Sequence, residues 1–118
     1  MPTIADYVVI QETAVTLPKS NGDIDHDYPV FSATDVSVGS RSILQFRVNP
    51  SGTVTLEMRL NGTIILTQTF DSEPQRSWHE IVEQNLLTAG NNTLTVTRTA
   101  GPGSFTISDC ALFFQANI

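Results

Sequence analysis

The segment Thr53–Leu60, with the sequence TVTLEMRL, decides the fold class of this chain. Apolar side chains occupy every second position from 54 to 60, which is the period-two pattern of a strand with one buried face. Asn61 and Gly62 follow directly, and this dipeptide suits the positive backbone φ angles of a two-residue hairpin turn. The sequence therefore predicts a β-hairpin whose return strand covers residues 63–70.

Similar patterns extend on both sides of this hairpin. Further strands are predicted at residues 7–17, 30–32, 42–48, 93–99 and 104–115. The segment 78–87 is interpreted as an extended strand or a short turn of helix. Because no helix is available to cover a sheet, the strands must close on one another face to face. The sequence predicts one all-β domain over residues 1–118, an antiparallel β-sandwich of about eight strands.

The composition excludes several functional classes. Charged residues make up 15% of the 118 residues, and twelve acidic against six basic side chains give a net charge of −6. Nucleic-acid binding is not expected, because phosphate contacts need clustered Lys and Arg. The sequence has no signal-peptide pattern and no stretch apolar enough for a membrane span. The compartment stays open, with an extracellular or particle-associated location favoured.

The second half of the chain carries an ordered series of motifs. In order, these are Leu60-Asn61-Gly62, Trp78-His79-Glu80-Ile81, Leu86-Leu87-x-x-Gly90-Asn91-Asn92-Thr93-Leu94 and Phe105-Thr106-Ile107-Ser108-Asp109. The series, over residues 42–118, resembles the galactose-binding-domain-like jelly roll of carbohydrate-binding modules. This resemblance implies a jelly-roll sandwich and a non-catalytic binding role, most simply for carbohydrate. The chain departs from the family pattern in having Asn92 inserted beside Asn91.

A carbohydrate site needs an apolar ring face and fixed hydrogen-bonding groups. Trp78 would supply the stacking area, with Tyr28 and Tyr7 as weaker candidates, and Arg76 and Asn61 would donate hydrogen bonds to sugar hydroxyls. The predicted ligand contacts are Trp78, Tyr28, Asn61 and Arg76. For Trp78, the alternative is packing in the core or at a sheet edge.

The segment 21–27, with the sequence NGDIDHD, predicts a metal site. Asp23, Asp25 and Asp27 alternate along it. Carboxylate oxygens are the ligands that Ca²⁺ prefers, and side chains in a loop can converge on one cation. The sequence therefore predicts a calcium site, with a solvated acidic loop held by Asx turns as the alternative.

The C-terminal run from Ala111 to Phe114 is apolar on both faces of its strand, as is the run from Tyr7 to Ile10. Such strands fill a core or present an apolar face to another subunit. The alternative function is therefore a structural subunit of a homo-oligomeric particle, tail or surface appendage, without a small-molecule site. Catalysis is not expected, because the sequence lacks the Gly-x-Ser-x-Gly nucleophile turn. The expected partners are a glycan or other protein subunits.

Overall fold

The computed structural model describes residues 2–118, and within that range it consists of strands and turns without a helix. In chain order the strands are β1 (Thr3–Gln11), β2 (Val15–Leu17), β3 (Asp25–Asp27), β4 (Phe31–Ser32), β5 (Ser42–Ser51), β6 (Thr53–Leu60), β7 (Thr63–Asp71), β8 (Arg76–Val82), β9 (Asn91–Asn92), β10 (Leu94–Ala100) and β11 (Ser104–Asn117). The predicted all-β fold is confirmed. There are eleven strands rather than about eight, because four of them contain two or three residues each.

Two antiparallel sheets form the two layers of the sandwich. The first sheet has the order β1-β11-β5-β8, with β2 also paired to β11, and the second has the order β3-β10-β6-β7. β4 and β9 form a separate two-stranded ribbon. The apolar faces of the two sheets pack into one core, whose largest fully buried side chains include Phe46, Phe70, Phe105, Leu56 and Met58.

The hairpin predicted from the sequence forms as β6 and β7. Asn61 and Gly62 adopt φ angles of 50° and 83°, the left-handed values that its turn requires. The register shifts once, so that Ile65 has no residue opposite it on β6. This bulge turns Ile64 to the outer face, where it is exposed, while Leu66 stays in the core.

The remaining predicted strands are also present, with changed bounds. The predicted strand 7–17 is divided into β1 and β2, which pair with the two halves of β11. Of the segment 78–87, residues 78–82 belong to β8, and residues 83–87 form a connection without helix. None of the described residues belongs to a helix that is long and apolar enough to cross a membrane.

Candidate functional site

Trp78 and Arg76 lie together at the edge of the sandwich. The Arg76 guanidinium carbon is 5.1 Å from the centroid of the Trp78 ring and 5.5 Å from that of Phe70. The two rings meet edge to face at 5.7 Å, and the Trp78 indole N–H donates to Glu80 at 3.1 Å. Trp78 pairs with buried Phe46 and packs against the core. Its ring therefore closes the edge of the core, as the packing alternative describes.

Asn61 uses its amide to hold the hairpin in place. Its Nδ2 donates to the carbonyl of Leu86 at 2.8 Å and to Oδ1 of Asn92 at 2.9 Å. Its Oδ1 accepts from the backbone N–H of Thr93 at 2.8 Å. Because both amide protons are engaged within the chain, Asn61 has no donor left for a sugar hydroxyl.

Tyr28 is buried, with 5% of its surface exposed, so its ring offers no face to a ligand. The ring packs edge-on against His26, with centroids 4.8 Å apart. Its hydroxyl is also buried and has no hydrogen-bond partner among residues 2–118. Burial raises the pKa of Tyr28, and the Cys110 side chain adds to this shift.

Replacing Tyr28 by Phe removes this unpartnered hydroxyl. A buried polar group without a hydrogen bond costs free energy, so we expect the free energy of unfolding to stay equal or to rise by about 1 kcal/mol. Urea denaturation of the variant measures the change. Tyr7→Phe, at an exposed ring, serves as the control. A clear loss of stability in Tyr28→Phe would contradict the expectation.

The three aspartates of the predicted calcium site are divided between a strand, which holds Asp25 and Asp27, and the turn before it, which holds Asp23. Asp25 and Asp27 belong to β3 and accept hydrogen bonds from the hydroxyls of Thr97 and Thr95 at 2.8 and 2.9 Å. Asp23 is held in a turn, where its N–H donates to Oδ1 of Asn21 at 2.9 Å. These hydrogen bonds direct the carboxylates of Asp25 and Asp27 toward neighbouring threonines of β10. The described part of the chain contains no group of three His, Cys, Asp or Glu side chains that could hold a metal ion.

These aspartates line a polar depression of about 610 Å³ that also contains Lys19 and His26. Burial lowers the pKa of His26, and the nearby Lys19 lowers it further against the opposing effect of Asp27. The depression therefore combines acidic side chains with the ammonium group of Lys19 and the partly buried ring of His26.

An apolar row lies on the outer face of the first sheet, and the sequence analysis did not predict it. The registers place Tyr7 beside Phe113, Phe113 beside Ile43 and Ile43 beside Ile81. This row crosses four strands, a span of about 14 Å at the usual interstrand spacing. The exposed fractions of the four residues are 62%, 41%, 44% and 57% in that order. The Tyr7 and Phe113 rings lie 5.9 Å apart with a tilt of 32°.

A depression of about 380 Å³ adjoins this row, and polar side chains surround it. Its lining residues are Ala5, Asp6, Arg41, Ile43, Gln45, His79, Phe113, Phe114 and Gln115. Gln45 and His79 are neighbours in register, and neither side chain makes a hydrogen bond to another of residues 2–118. Gln115 uses its amide oxygen for the hydroxyl of Thr3, which leaves its NH₂ group available.

The chemistry of this surface favours binding over bond cleavage. The aromatic pair supplies an apolar platform, and the amides and the imidazole supply hydrogen bonds beside it. Asp6 is the single carboxylate side chain in the lining of the depression. Glycoside hydrolysis generally needs two carboxyl groups on either side of the bond.

No family model matches the sequence, and no curated protein matches it. Solved structures do match. The dimeric latent PorU of Porphyromonas gingivalis matches with a TM-score of 0.75 and 10% identity, over 99% of this chain and 13% of that chain. The chain thus spans a small part of that larger protein.

Two solved carbohydrate-binding modules match over nearly their whole length. A family 35 module from Clostridium thermocellum has a TM-score of 0.59 and 14% identity, over 91% of this chain and 97% of the module. The CBM36-1 domain of a multidomain xylanase, from the hindgut metagenome of Trinervitermes trinervoides, has a TM-score of 0.57 and 10% identity, over 98% and 100%. The chain therefore has a β-sandwich fold like that of these two modules. The resemblance seen in the sequence motifs is thereby confirmed at the level of the fold.

Proposed function

We propose that the chain is a non-catalytic glycan-binding domain whose ligand lies on the outer face of the first sheet. The observation that carries this proposal is the exposed Tyr7–Phe113 pair beside a depression that contains Gln45 and His79. The C–H faces of a sugar pack on aromatic rings, and its hydroxyls pair with side-chain amides and imidazole. An exposed apolar row of this kind is also typical of a surface with a binding role.

The comparisons support the class of ligand but not its position. Two of the matching structures are carbohydrate-binding modules over nearly their whole length, and one of these is a domain of a xylanase. Because one fold serves many functions, this support for a glycan is analogy. The proposed position is supported by the exposed rings of Tyr7 and Phe113, whereas Tyr28 is buried and the amide of Asn61 is engaged within the chain.

The shape of the surface favours a short stretch of a glycan chain. The row has a length of about 14 Å, from three interstrand spacings, which provides room for a short oligosaccharide. Phe113 and Ile43 belong both to the row and to the depression, so the apolar and polar contacts meet at the centre of the sheet.

Affinity electrophoresis against a panel of neutral and acidic polysaccharides tests the proposal. We expect at least one polysaccharide to slow the folded protein, and a Gln45→Ala/His79→Ala variant to migrate freely in the same gel. Arg76→Ala, at the edge of the sandwich, is the matched control and should remain retarded. If no polysaccharide slows the wild-type protein, the proposal is wrong.

Calcium is the cofactor that the sequence predicts, and thermal unfolding tests it independently of any glycan. A cation that binds the folded form must raise the melting temperature. Because the carboxylates of Asp25 and Asp27 accept hydrogen bonds from threonine hydroxyls, we expect equal melting temperatures in excess Ca²⁺ and in excess chelator. A rise of several degrees in Ca²⁺, abolished in Asp25→Asn, would contradict this expectation and restore the predicted site.

A further inference from the structure

We infer that the free edge of β1 pairs with the same edge of a second copy of the chain. β1 is the first strand in the order of its sheet and pairs with β11 on one side. Its nine residues, TIADYVVIQ, carry a single charge, at Asp6. A long edge strand with few charges is a template for pairing with another chain.

The backbone of β1 shows which groups face this free edge. The N–H of Tyr7 donates to Oδ1 of Asp6 at 2.8 Å, so it does not pair with β11. Because hydrogen bonding alternates along an antiparallel strand, the backbone groups of Thr3, Ala5 and Val9 point the same way as those of Tyr7. The edge therefore presents a regular series of donors and acceptors over seven residues.

The edge strands β3, β8 and β7 of the two large sheets have features that oppose pairing. β3 is three residues long and carries Asp25 and Asp27. β8 carries Arg76, His79 and Glu80. β7 contains the bulge at Ile65, which interrupts a regular edge. In β1 the register shift lies at its end, between Val9 and Gln11, which leaves Thr3 to Val9 regular.

The sequence of β1 is complementary to itself in an antiparallel pair, so a second copy of the chain is the partner that we infer. A two-fold axis at Tyr7 places each Tyr7 opposite its counterpart, Ala5 opposite Val9 and Asp6 opposite Val8. No carboxylate then faces a carboxylate, and apolar side chains meet along the contact. The carbonyl of the second Tyr7 replaces the Asp6 carboxylate as acceptor for the N–H of Tyr7.

The same axis joins the two exposed apolar rows end to end. Each row runs from Ile81 through Ile43 and Phe113 to Tyr7 at the free edge. Pairing at Tyr7 therefore makes one row of eight side chains across eight strands. The inference does not depend on the proposed glycan site, although the dimer would lengthen that surface.

Sedimentation equilibrium over a wide range of protein concentrations tests the pairing. We expect a dimer for the wild-type chain and its loss in Val9→Lys, because a lysine at an edge strand opposes pairing. Ile64→Lys is the matched control, since Ile64 is 49% and Val9 46% exposed, and it should remain dimeric. A wild-type chain that stays monomeric at all concentrations would overturn the inference. A dimer that survives Val9→Lys and is lost in Ile81→Ser would also overturn it, in favour of a face-to-face contact.

A cysteine cross-link tests the position of the axis. Tyr7→Cys should give a covalent dimer on mild oxidation, while Ile81→Cys, at the far end of the row, should not. The natural Cys110 does not compete, because burial raises its pKa to about 12. Equal cross-linking of the two variants would contradict the proposed axis.

Discussion

Replacing Asn92 by Asp is expected to lower the free energy of unfolding by about 3 kcal/mol. The Asn92 side chain is fully buried, and its Nδ2 donates to the carbonyls of Phe31, Thr88 and Gly90 at 3.3, 2.8 and 3.2 Å. In an aspartate, one oxygen would keep the donors that Asn92 Oδ1 now has, Asn61 Nδ2 and the Thr88 N–H, both at 2.9 Å. The second oxygen would replace Nδ2 and face the three carbonyl oxygens. A buried carboxylate oxygen that meets acceptors in place of donors loses two hydrogen bonds and is repelled by the carbonyl dipoles, which is strongly destabilising.

The loss of folding stability in Asn92→Asp should be larger at neutral pH than at acidic pH. Burial among acceptors raises the pKa of the new carboxyl in the folded state above its unfolded value of about 3.9. The neutral acid keeps one donor, so the loss is smallest below about pH 4. The loss of stability grows as the pH rises from the unfolded pKa to the folded pKa, because in this range the unfolded state releases a proton that the folded state retains, and it is constant above the folded pKa.

Urea denaturation of the variant and the wild-type protein, at about pH 3.5 and at pH 7, measures both expectations. Asn91→Asp is the control, because Asn91 is the exposed neighbour in β9, and it should change stability by about 0.5 kcal/mol or less. A loss for Asn92→Asp that is small, or equal at both pH values, would contradict this account of Asn92.

Removing both rings of the aromatic pair, in Tyr7→Ala/Phe113→Ala, should weaken glycan binding about a hundredfold, or about 2.7 kcal/mol. Both rings stand on the exposed face, so their contact area is available to a ligand. Aromatic side chains at the centre of a contact surface carry much of its binding free energy. Isothermal titration with the polysaccharide that the panel identifies measures the loss.

Two controls separate the loss of contacts from other effects of this double substitution. Ile64→Ala removes an exposed apolar side chain from the second sheet and should bind as the wild type does. Val9→Lys, which is designed to prevent dimer formation, should still bind the glycan as a monomer. Unchanged affinity in the double variant, with affinity lost in Arg76→Ala, would move the site to the edge of the sandwich.

The core of the fold was predictable because its signals are local. The alternation from 54 to 60 and the Asn61-Gly62 turn define β6 and β7 without knowledge of any other segment. The long closing strand was recognised in the same way. The bulge at Ile65 was not, because it follows from how β7 aligns with β6 and has no residue signature of its own.

The segment 21–27 shows how pairing between distant segments overrides a local pattern. Its turn residues and alternating acids suggested a loop, but Asp25–Asp27 aligns with Thr95–Thr97 of β10. The threonine hydroxyls then take hydrogen bonds to the acids that were expected to bind a cation. The partner strand lies about 70 residues further along the sequence, so the segment 21–27 alone does not predict the pairing.

The candidate site was only partly visible in the sequence. In the sequence, Tyr7 and Phe113 belong to two separate apolar runs. Ile43 and Ile81 each lie among polar residues on the outer faces of their strands. The register of four strands is what brings them into line. Trp78, the single tryptophan, is open from the sequence to sugar stacking or to packing, and the strand register places it beside Phe46 against the core.

Backbone amide chemical shifts, recorded as a binding polysaccharide fragment is added, test the central proposal most directly. The proposal predicts that the largest changes cluster at Gln45, His79, Phe113 and Gln115 on the outer face of the first sheet. Changes centred on Arg76 and Trp78, or on the depression around Asp25, would contradict it.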